Sequence, residues 1–188
     1  KEEVFIPWEE GKVSFYTCGP TVYHYAHIGN MRNYIGHDIL DKTLRFISFD
    51  VTRCMNITDV GHLTSDSDSG DDKMVASAKK EHKSVLDIAS FYTDAFFKDF
   101  DALNCKKPEI VSNATDNIEE YIKIITKLLE DGYAYKAGGN VYFDTSKLKD
   151  YYVLTNHKED DMVVGARESV EYDASKKNQA DFALWFTK

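Results

Sequence analysis

The sequence predicts an α/β protein organised around a parallel sheet, and three observations carry that expectation. Residues Val13 to Cys18 alternate Val13, Phe15 and Thr17 with Ser14, Tyr16 and Cys18, the period-two pattern of a short strand. From Gly29 the spacing lengthens to that of a helix, with Met31, Ile35, Ile39 and Ile47 along one stripe. Val51 to Ile57 then reads as a second strand, closing at Thr58-Asp59. Strand, helix, strand at these lengths is a βαβ unit, whose crossover makes the two strands parallel.

Between the first strand and the helix lies Cys18-Gly19-Pro20-Thr21-Val22-Tyr23-His24-Tyr25-Ala26-His27-Ile28-Gly29-Asn30. A strand end feeding a helix N-terminus is where α/β proteins hold anionic ligands, because unpaired backbone N–H groups and the helix dipole point there. Here that position carries a thiol and several imidazoles, the side chains of a metal ligand or nucleophile beside a nucleotide site. Residues 61–72 are polar and turn-rich and read as a loop. Their Asp-x-Asp spacing fails as a calcium loop, since the glycine falls one position early and no glutamate closes twelve residues.

Further on, Ser84 and Asp87 form a capping-box pair before a helix that should bury Val85, Ala89, Tyr92, Phe96, Phe100 and Leu103. Lys107-Pro108 ends that block and marks a domain boundary, giving domains at 1–110 and 111–188. A third helix is expected from about Asp116 to Asp131, capped by Asp116 with Glu119 and stopped by Gly132. Its apolar face runs through Ile118, Tyr121, Ile122, Ile125, Leu128 and Leu129. Gly138-Gly139-Asn140 between Tyr133–Lys136 and Val141–Phe143 signals a hairpin. The stretch 147–177 is polar and irregular, and Asp181 to Trp185 starts another strand-like run. A chain ending just as an element begins is expected to be part of a longer protein.

The chain has 188 residues, with 23 Lys and Arg against 32 Asp and Glu, a net charge of −9. Such a surplus argues against wide, sequence-independent nucleic-acid binding by this segment, which rests on neutralising phosphates. The run Lys79, Lys80, Lys83 reads as a solvated helix face. No apolar run approaches the ~20 residues of a membrane span. Cys18, Cys54 and Cys105 are odd in number, widely spaced and without a CxxC, which disfavours a disulfide scaffold and fits a reducing cytoplasm.

At this point a family resemblance becomes specific. Cys18-Gly19-Pro20-Thr21-Val22-Tyr23 with His27-Ile28-Gly29-Asn30 resembles the start of cysteinyl-tRNA synthetase, a class I aminoacyl-tRNA synthetase. Asn56-Ile57-Thr58-Asp59-Val60 and Asp71-Asp72-Lys73-Met74 are similar to that family's next elements. Lys98 to Asn104, Gly165-Ala166-Arg167 and Asp181 to Trp185 follow in the same order. The resemblance implies a Rossmann-type catalytic domain, its first half at 1–110, followed by a connective-peptide insertion at 111–188. It implies ATP-dependent activation of L-cysteine to cysteinyl-adenylate, with Mg2+ accompanying ATP, and transfer to tRNA(Cys) by a cytoplasmic monomer.

Carried over residue by residue, the resemblance makes His27 and Asn30 catalytic groups that stabilise charge on the ATP phosphates. Gly19, Thr21, His27, Gly29 and Asn30 become ATP-binding residues, and Cys18, Gly19 and Thr58 cysteine-binding ones. Asn30 departs from the usual histidine and keeps a hydrogen bond but not a positive charge. Cys18 matches the first ligand of a catalytic zinc, which would take the substrate thiolate and reject serine. The other three ligands, and the Lys-Met-Ser-Lys-Ser loop, fall beyond Lys188 in the resemblance. For the residues alone, Cys18 as a buried apolar thiol and Thr58 as a turn residue remain open. Two other functions stay in view: a cysteine ligase acting on an amino-sugar acceptor, and a non-catalytic binding module.

Overall fold

The computed structural model describes residues 3–60, 75, 78–80, 84–153 and 175–187. The loop expected at 61–72, the Asp71-Asp72-Lys73-Met74 and Gly165-Ala166-Arg167 elements, and Lys83 lie outside the described residues. The chain forms two compact units that join in sequence at Asp116 and Asn117.

In the first unit, strand β1 (Lys12–Thr17), helix α1 (Ile28–Phe46) and strand β2 (Asp50–Ile57) form the expected βαβ crossover. Helix α2 (Val85–Ala102) then leads to strand β3 (Ile110–Asn113). All three strands are parallel in the order β1-β2-β3, with Val13 opposite Val51 and Met55 opposite Val111. The sequence reading had no strand at β3. It is four residues long and too short to show a period, and pairing with β2 defines it. The unit therefore continues through β3 to Asp116.

Central strand β2 turns Val51, Arg53, Met55 and Ile57 inward as alternate residues. Ile57 packs with Val22, Ile88 and Tyr92, while Met55 packs with Met31, Tyr34, Phe96 and Phe100. Helix α2 begins as expected: Ser84 Oγ accepts from Asp87 N–H and Asp87 Oδ2 from Ser84 N–H. It buries Ile88, Ala89, Tyr92, Phe96 and Phe100, but Leu103 is exposed.

The stripe expected on α1 is corrected. Met31 is buried, but Ile39 and Ile47 are exposed, and the inward face is Met31, Tyr34, Asp38 and Asp41. The reason lies across the layer, where the fully buried guanidinium of Arg53 faces those aspartates. Charge pairing overrides the apolar stripe.

A 3-10 turn (Thr115–Asn117) spans the join and leads into helix α3 (Ile118–Glu130), which opens the second unit. The capping box expected from Asp116 and Glu119 does not form. Asp116 is taken up in the 3-10 turn, where Oδ2 accepts from Asn113 Nδ2, and the cap position falls to Asn117, whose side chain caps nothing. The helix stops as expected, with Gly132 at φ +77° and Tyr133 N–H donating to Leu128 C=O. Strands β4 (Ala134–Ala137), β5 (Asn140–Phe143) and β6 (Phe182–Trp185) make an antiparallel sheet in that order. Gly138 and Gly139, at φ +56° and +84°, close the hairpin.

Asp181 ties this sheet together and is 2% exposed. Its carboxylate accepts from Tyr135 Oη at 2.7 Å, Thr145 N at 2.9 Å, Thr145 Oγ1 at 3.0 Å and Asn178 N at 2.9 Å. Burial alone would raise its pKa, but those donors outweigh it and hold the carboxyl below its ordinary value.

Candidate active site

Two cavities of the first unit matter here. The larger, about 1030 Å3, is an apolar groove between the N-terminal residues Phe5 to Trp8, β1 and the outer face of α1. Its polar lining is limited to Glu9, Lys12, Ser14, Asp50 and Thr52. The smaller, about 320 Å3, lies where β1 runs out into α1 and is lined mostly by polar surface, including Gly19, Thr21, His24, His27, Asn30 and Tyr34. This second cavity sits at the carboxyl ends of parallel strands, where α/β folds bind ligands.

Gly19 is required by the packing. A Cβ there would lie 1.7 Å from the backbone oxygen of Asn56 and 2.7 Å from Met55 Cγ, so only glycine lets the turn close on β2. The turn then adds to the sheet: Thr58 N–H donates to Pro20 C=O at 3.0 Å, and Val22 N–H to Thr58 C=O at 3.1 Å. Thr21 and Thr58 pair as an isolated parallel bridge.

His27 and Asn30 cap α1 reciprocally. Gly29 N–H donates to His27 Nδ1 at 3.0 Å, and His27 N–H donates to Asn30 Oδ1 at 3.2 Å. Because Nδ1 accepts, the neutral ring carries its proton on Nε2, which becomes a donor for something else. A Cβ on Gly29 would come within 2.8 Å of His27 Cε1, so glycine here leaves room for the cap. The first turn of α1 holds no acidic residue, and its positive dipole end is not neutralised from within.

The cavity wall is aromatic. Tyr34 is buried, and burial, with electrostatic interaction with Cys18 as a smaller cause, pushes its phenol up to about 12, so it remains a protonated donor. Tyr92 stacks on His24 at 6.2 Å and meets Tyr25 edge-on at 5.1 Å.

Of the residues named from sequence, Gly19, Thr21, His27 and Asn30 line one cavity. Gly29 does not line it but donates its N–H to His27 Nδ1. Cys18 and Thr58 do not line it. Cys18 is an exposed free thiol just past β1, which sets aside the buried-thiol alternative, and Thr58 is half-buried beside Thr21. Asp59, named with Thr58 at the strand end, is occupied within the fold, accepting from Thr115 N at 3.0 Å and Thr115 Oγ1 at 2.6 Å.

Sequence reasoning gave no role to Asn56, Tyr34 or Tyr92 at this site. Asn56 was within reach, since it alternates out of the buried β2 face at a strand end. Its side chain accepts from Gly19 N at 2.8 Å and Tyr16 Oη at 2.7 Å, and donates from Nδ2 to Thr58 Oγ1 at 3.0 Å.

The zinc implied by the resemblance can be tested against these residues. Structural and catalytic zinc needs at least three protein ligands. Among the described residues no three of His, Cys, Asp or Glu come together, so Cys18 stands as a single candidate sulfur ligand. The described residues alone do not complete a zinc site; Cys18 would be one ligand and the others would come from outside them.

A parallel sheet whose first strand ends in a glycine turn, opening a histidine-capped helix over a polar cavity, has the layout of a class I synthetase nucleotide fold. Comparison with known proteins agrees. The family described as tRNA synthetases class I (C) catalytic domain matches residues 4–188, and the chain belongs to it. The chain is 56% identical over its whole length to a cysteine–tRNA ligase of Treponema denticola, of which it covers 38%. It is 49% identical, over 98% of its length, to the cysteine–tRNA ligase of Zymomonas mobilis, of which it covers 35%. The chain thus spans less than two fifths of these curated relatives. In fold it is similar to the LeuRS of Agrobacterium radiobacter K84, solved in a ternary complex with tRNA and LeuAMS. That likeness has a TM-score of 0.55 at 20% identity, over 76% of this chain and 18% of the other.

Proposed function

We propose that this chain is the part of a cysteine–tRNA ligase that grips ATP and the amino acid, as the first half of a Rossmann-type catalytic domain followed by a connective-peptide insertion. The observation that carries the reading is the His27–Asn30 cap at the polar cavity, in a chain 56% identical throughout to a ligase of that name. The reaction joins the cysteine carboxylate to the α-phosphorus of ATP, brought as its Mg2+ complex, releases pyrophosphate and passes the cysteinyl group to tRNA(Cys).

In this reading His27 donates from Nε2 to a phosphate oxygen on which charge builds as the adenylate forms. The α1 N-terminus adds its dipole to the same charge. Asn30 works through His27, since its Oδ1 is spent on the cap and the charge that a second histidine would bring is absent. Gly19, Thr21 and Gly29 supply close backbone approach for ATP, and Cys18, Gly19 and Thr58 the amino-acid side of the site. Zinc, held by Cys18 with ligands from elsewhere in the protein, would supply thiolate recognition. No helix among the described residues is long and apolar enough to cross a membrane. A cytoplasmic monomer goes with this reading, and gel filtration checks its size.

The test is cysteine-dependent ATP–pyrophosphate exchange, followed by charging of tRNA(Cys), by a protein carrying this chain with the remaining length of its relatives. Exchange with charging supports the reading. Exchange with transfer to an amino-sugar and not to tRNA would establish the other ligase, and no exchange would leave a binding module. His27→Ala should lower exchange by about 10²–10³.

A further inference from the structure

We propose that Tyr34 is a nucleotide-binding residue, whose phenol hydrogen-bonds a phosphate oxygen of ATP in the polar cavity at the β1–α1 junction. The proposal rests on the ligase reading above and deepens it, because that reading gives Tyr34 no role.

The argument starts from a hydroxyl that the fold leaves unused. Tyr34 is 6% exposed, with its ring edge-on to Phe96 at 5.1 Å and in one cluster with Met31, Met55 and Phe100. A phenylalanine would serve that packing as well. A buried phenol ordinarily finds a partner within the protein, yet Tyr34 Oη makes no hydrogen bond among the described residues. Nor is it walled in, as the unpartnered His37 Nδ1 and Arg53 Nη1 are. The open space that Tyr34 borders is the polar cavity, which it lines together with His27 and Asn30. An unpaired hydroxyl on a buried ring at a cavity wall is a contact held ready for a ligand.

The helix explains how a residue so far from the cap reaches the same space. Tyr34 is seven residues past His27 and four past Asn30, two turns along one face of α1. Helical side chains lean toward the N-terminus, so a long one in the second turn comes back over the first.

The surroundings choose the ligand group. Among the described residues no carboxylate lines the cavity, and the first turn of α1 holds no acidic residue. The helix dipole and the His27 Nε2 donor both favour negative charge there. Burial keeps the Tyr34 phenol protonated, so its proton is available to an anionic oxygen. Of the residues proposed for the amino acid, only Gly19 lines this cavity, and it serves ATP as well. That leaves the phosphates of ATP as the anion that Tyr34 meets.

The experiment is Tyr34→Phe in the full-length protein, which removes one oxygen and keeps the ring. Binding of ATP with Mg2+ is measured by calorimetry without cysteine, and KM for cysteine by pyrophosphate exchange at saturating ATP. The dissociation constant for ATP should rise about ten- to a hundredfold, the loss of one hydrogen bond to a charged group. KM for cysteine should move less than about twofold. The urea midpoint should stay within about 0.5 M of the parent, because the phenol has no partner in the fold to lose.

An ATP affinity within about twofold of the parent would overturn the proposal. So would a cysteine KM that rises as much as the ATP constant, or a urea midpoint that falls further, the signs of a structural phenol. Fluorotyrosine at position 34 gives a second reading with the hydroxyl in place. Its fluorine resonance should shift on saturation with ATP and Mg2+, and an unmoved resonance would overturn the proposal too. A parent protein that binds ATP without cysteine-dependent exchange would overturn the ligase reading, while the same ATP binding still decides the Tyr34 contact. A parent that does not bind ATP would overturn both.

Discussion

Arg53 is the residue whose loss the first unit should feel most. Its side chain is fully buried in the middle of β2, beneath α1, with Asp41 equally buried and Asp38 nearly so. Arg53 Nε lies 3.4 Å from Asp41 Oδ2, close as charges but not aligned as a hydrogen bond, and Nη2 lies 4.0 Å from Asp38 Oδ1. Nη2 also donates to Lys106 C=O, and the Arg53 backbone N–H donates to Glu109 Oε2 at 2.9 Å. At an effective dielectric of ~20, charges at these distances attract by about 4–5 kcal/mol each, most of it offset by desolvation.

Arg53→Met removes the attraction and leaves the desolvation. Asp38 keeps Lys42 Nζ at 2.7 Å and Lys106 N–H at 2.7 Å, but among the described residues Asp41 keeps only Arg45 Nε at 2.5 Å. Truncating one partner of a buried pair in this way costs about 3–5 kcal/mol. With a urea slope of about 2 kcal/mol/M, the midpoint should fall by about 2 M. Circular dichroism follows the transition, and amide hydrogen exchange along β2 places the loss. Adding Asp41→Leu removes the stranded carboxylate and should recover half or more of it, since apolar replacements of both partners are often neutral. A midpoint within about 0.5 M of the parent for Arg53→Met would refute the reasoning. So would a double variant that is weaker than the single.

Gly19→Ala should destabilise the first unit by about 1–3 kcal/mol, read in the same urea assay, because the new methyl meets the immovable backbone of Asn56. Gly29→Ala should push His27 off its cap and cost at most about 1 kcal/mol of stability, while pyrophosphate exchange falls by far more than that loss explains. Asp181→Asn should cost the second unit about 2–3 kcal/mol, as a carboxylate serving Tyr135, Thr145 and Asn178 loses charge and an acceptor. For Glu109, burial raises the pKa, but hydrogen bonds from Lys106 and from the Arg53 N–H outweigh it and hold the group at about 2, against an ordinary 4.5. A depressed carboxylate stabilises fully above its unfolded value, and that contribution is lost as pH falls from about 4.5 toward 2. Acid titration of stability should therefore be flatter in Glu109→Gln over that window.

What could be read from the residues depended on the range of the interaction. The βαβ unit, the Ser84 cap, the Gly138-Gly139 turn and the Gly132 stop are local patterns, and each formed. The corrections come from partners distant in sequence. Asp38 and Asp41 look like a solvated helix face until Arg53 is seen opposite, and β3 looks like a linker until it pairs with β2. Asp116 makes a sound cap on paper, but a 3-10 turn consumes it. At the site, the family resemblance singled out Gly19, Thr21, His27, Gly29 and Asn30, while the cap that His27 and Asn30 form was not read. Asn56 and Tyr34 were not singled out, because their roles lie in what they touch across the sheet.

The site and the ion cluster belong to one argument about helix α1. His27, Gly29 and Asn30 are exposed, so burial does not hold them in place. Their reciprocal cap contributes about 1 kcal/mol, too little to fix a ligand site on a free helix end. What fixes it lies further along the same helix. Met31 and Tyr34 pack on Met55, and Asp38 and Asp41 close on Arg53 from the same strand. A slip of α1 by one residue would turn both aspartates away from the guanidinium, so the charges specify the register that apolar packing alone would permit to vary. The strand whose centre carries Arg53 runs out at Asn56, whose side chain ties the Gly19 turn to Thr58. Helix and strand are thus locked at depth so that the exposed His27–Asn30 cap and the half-buried Asn56–Thr58 pair keep their spacing.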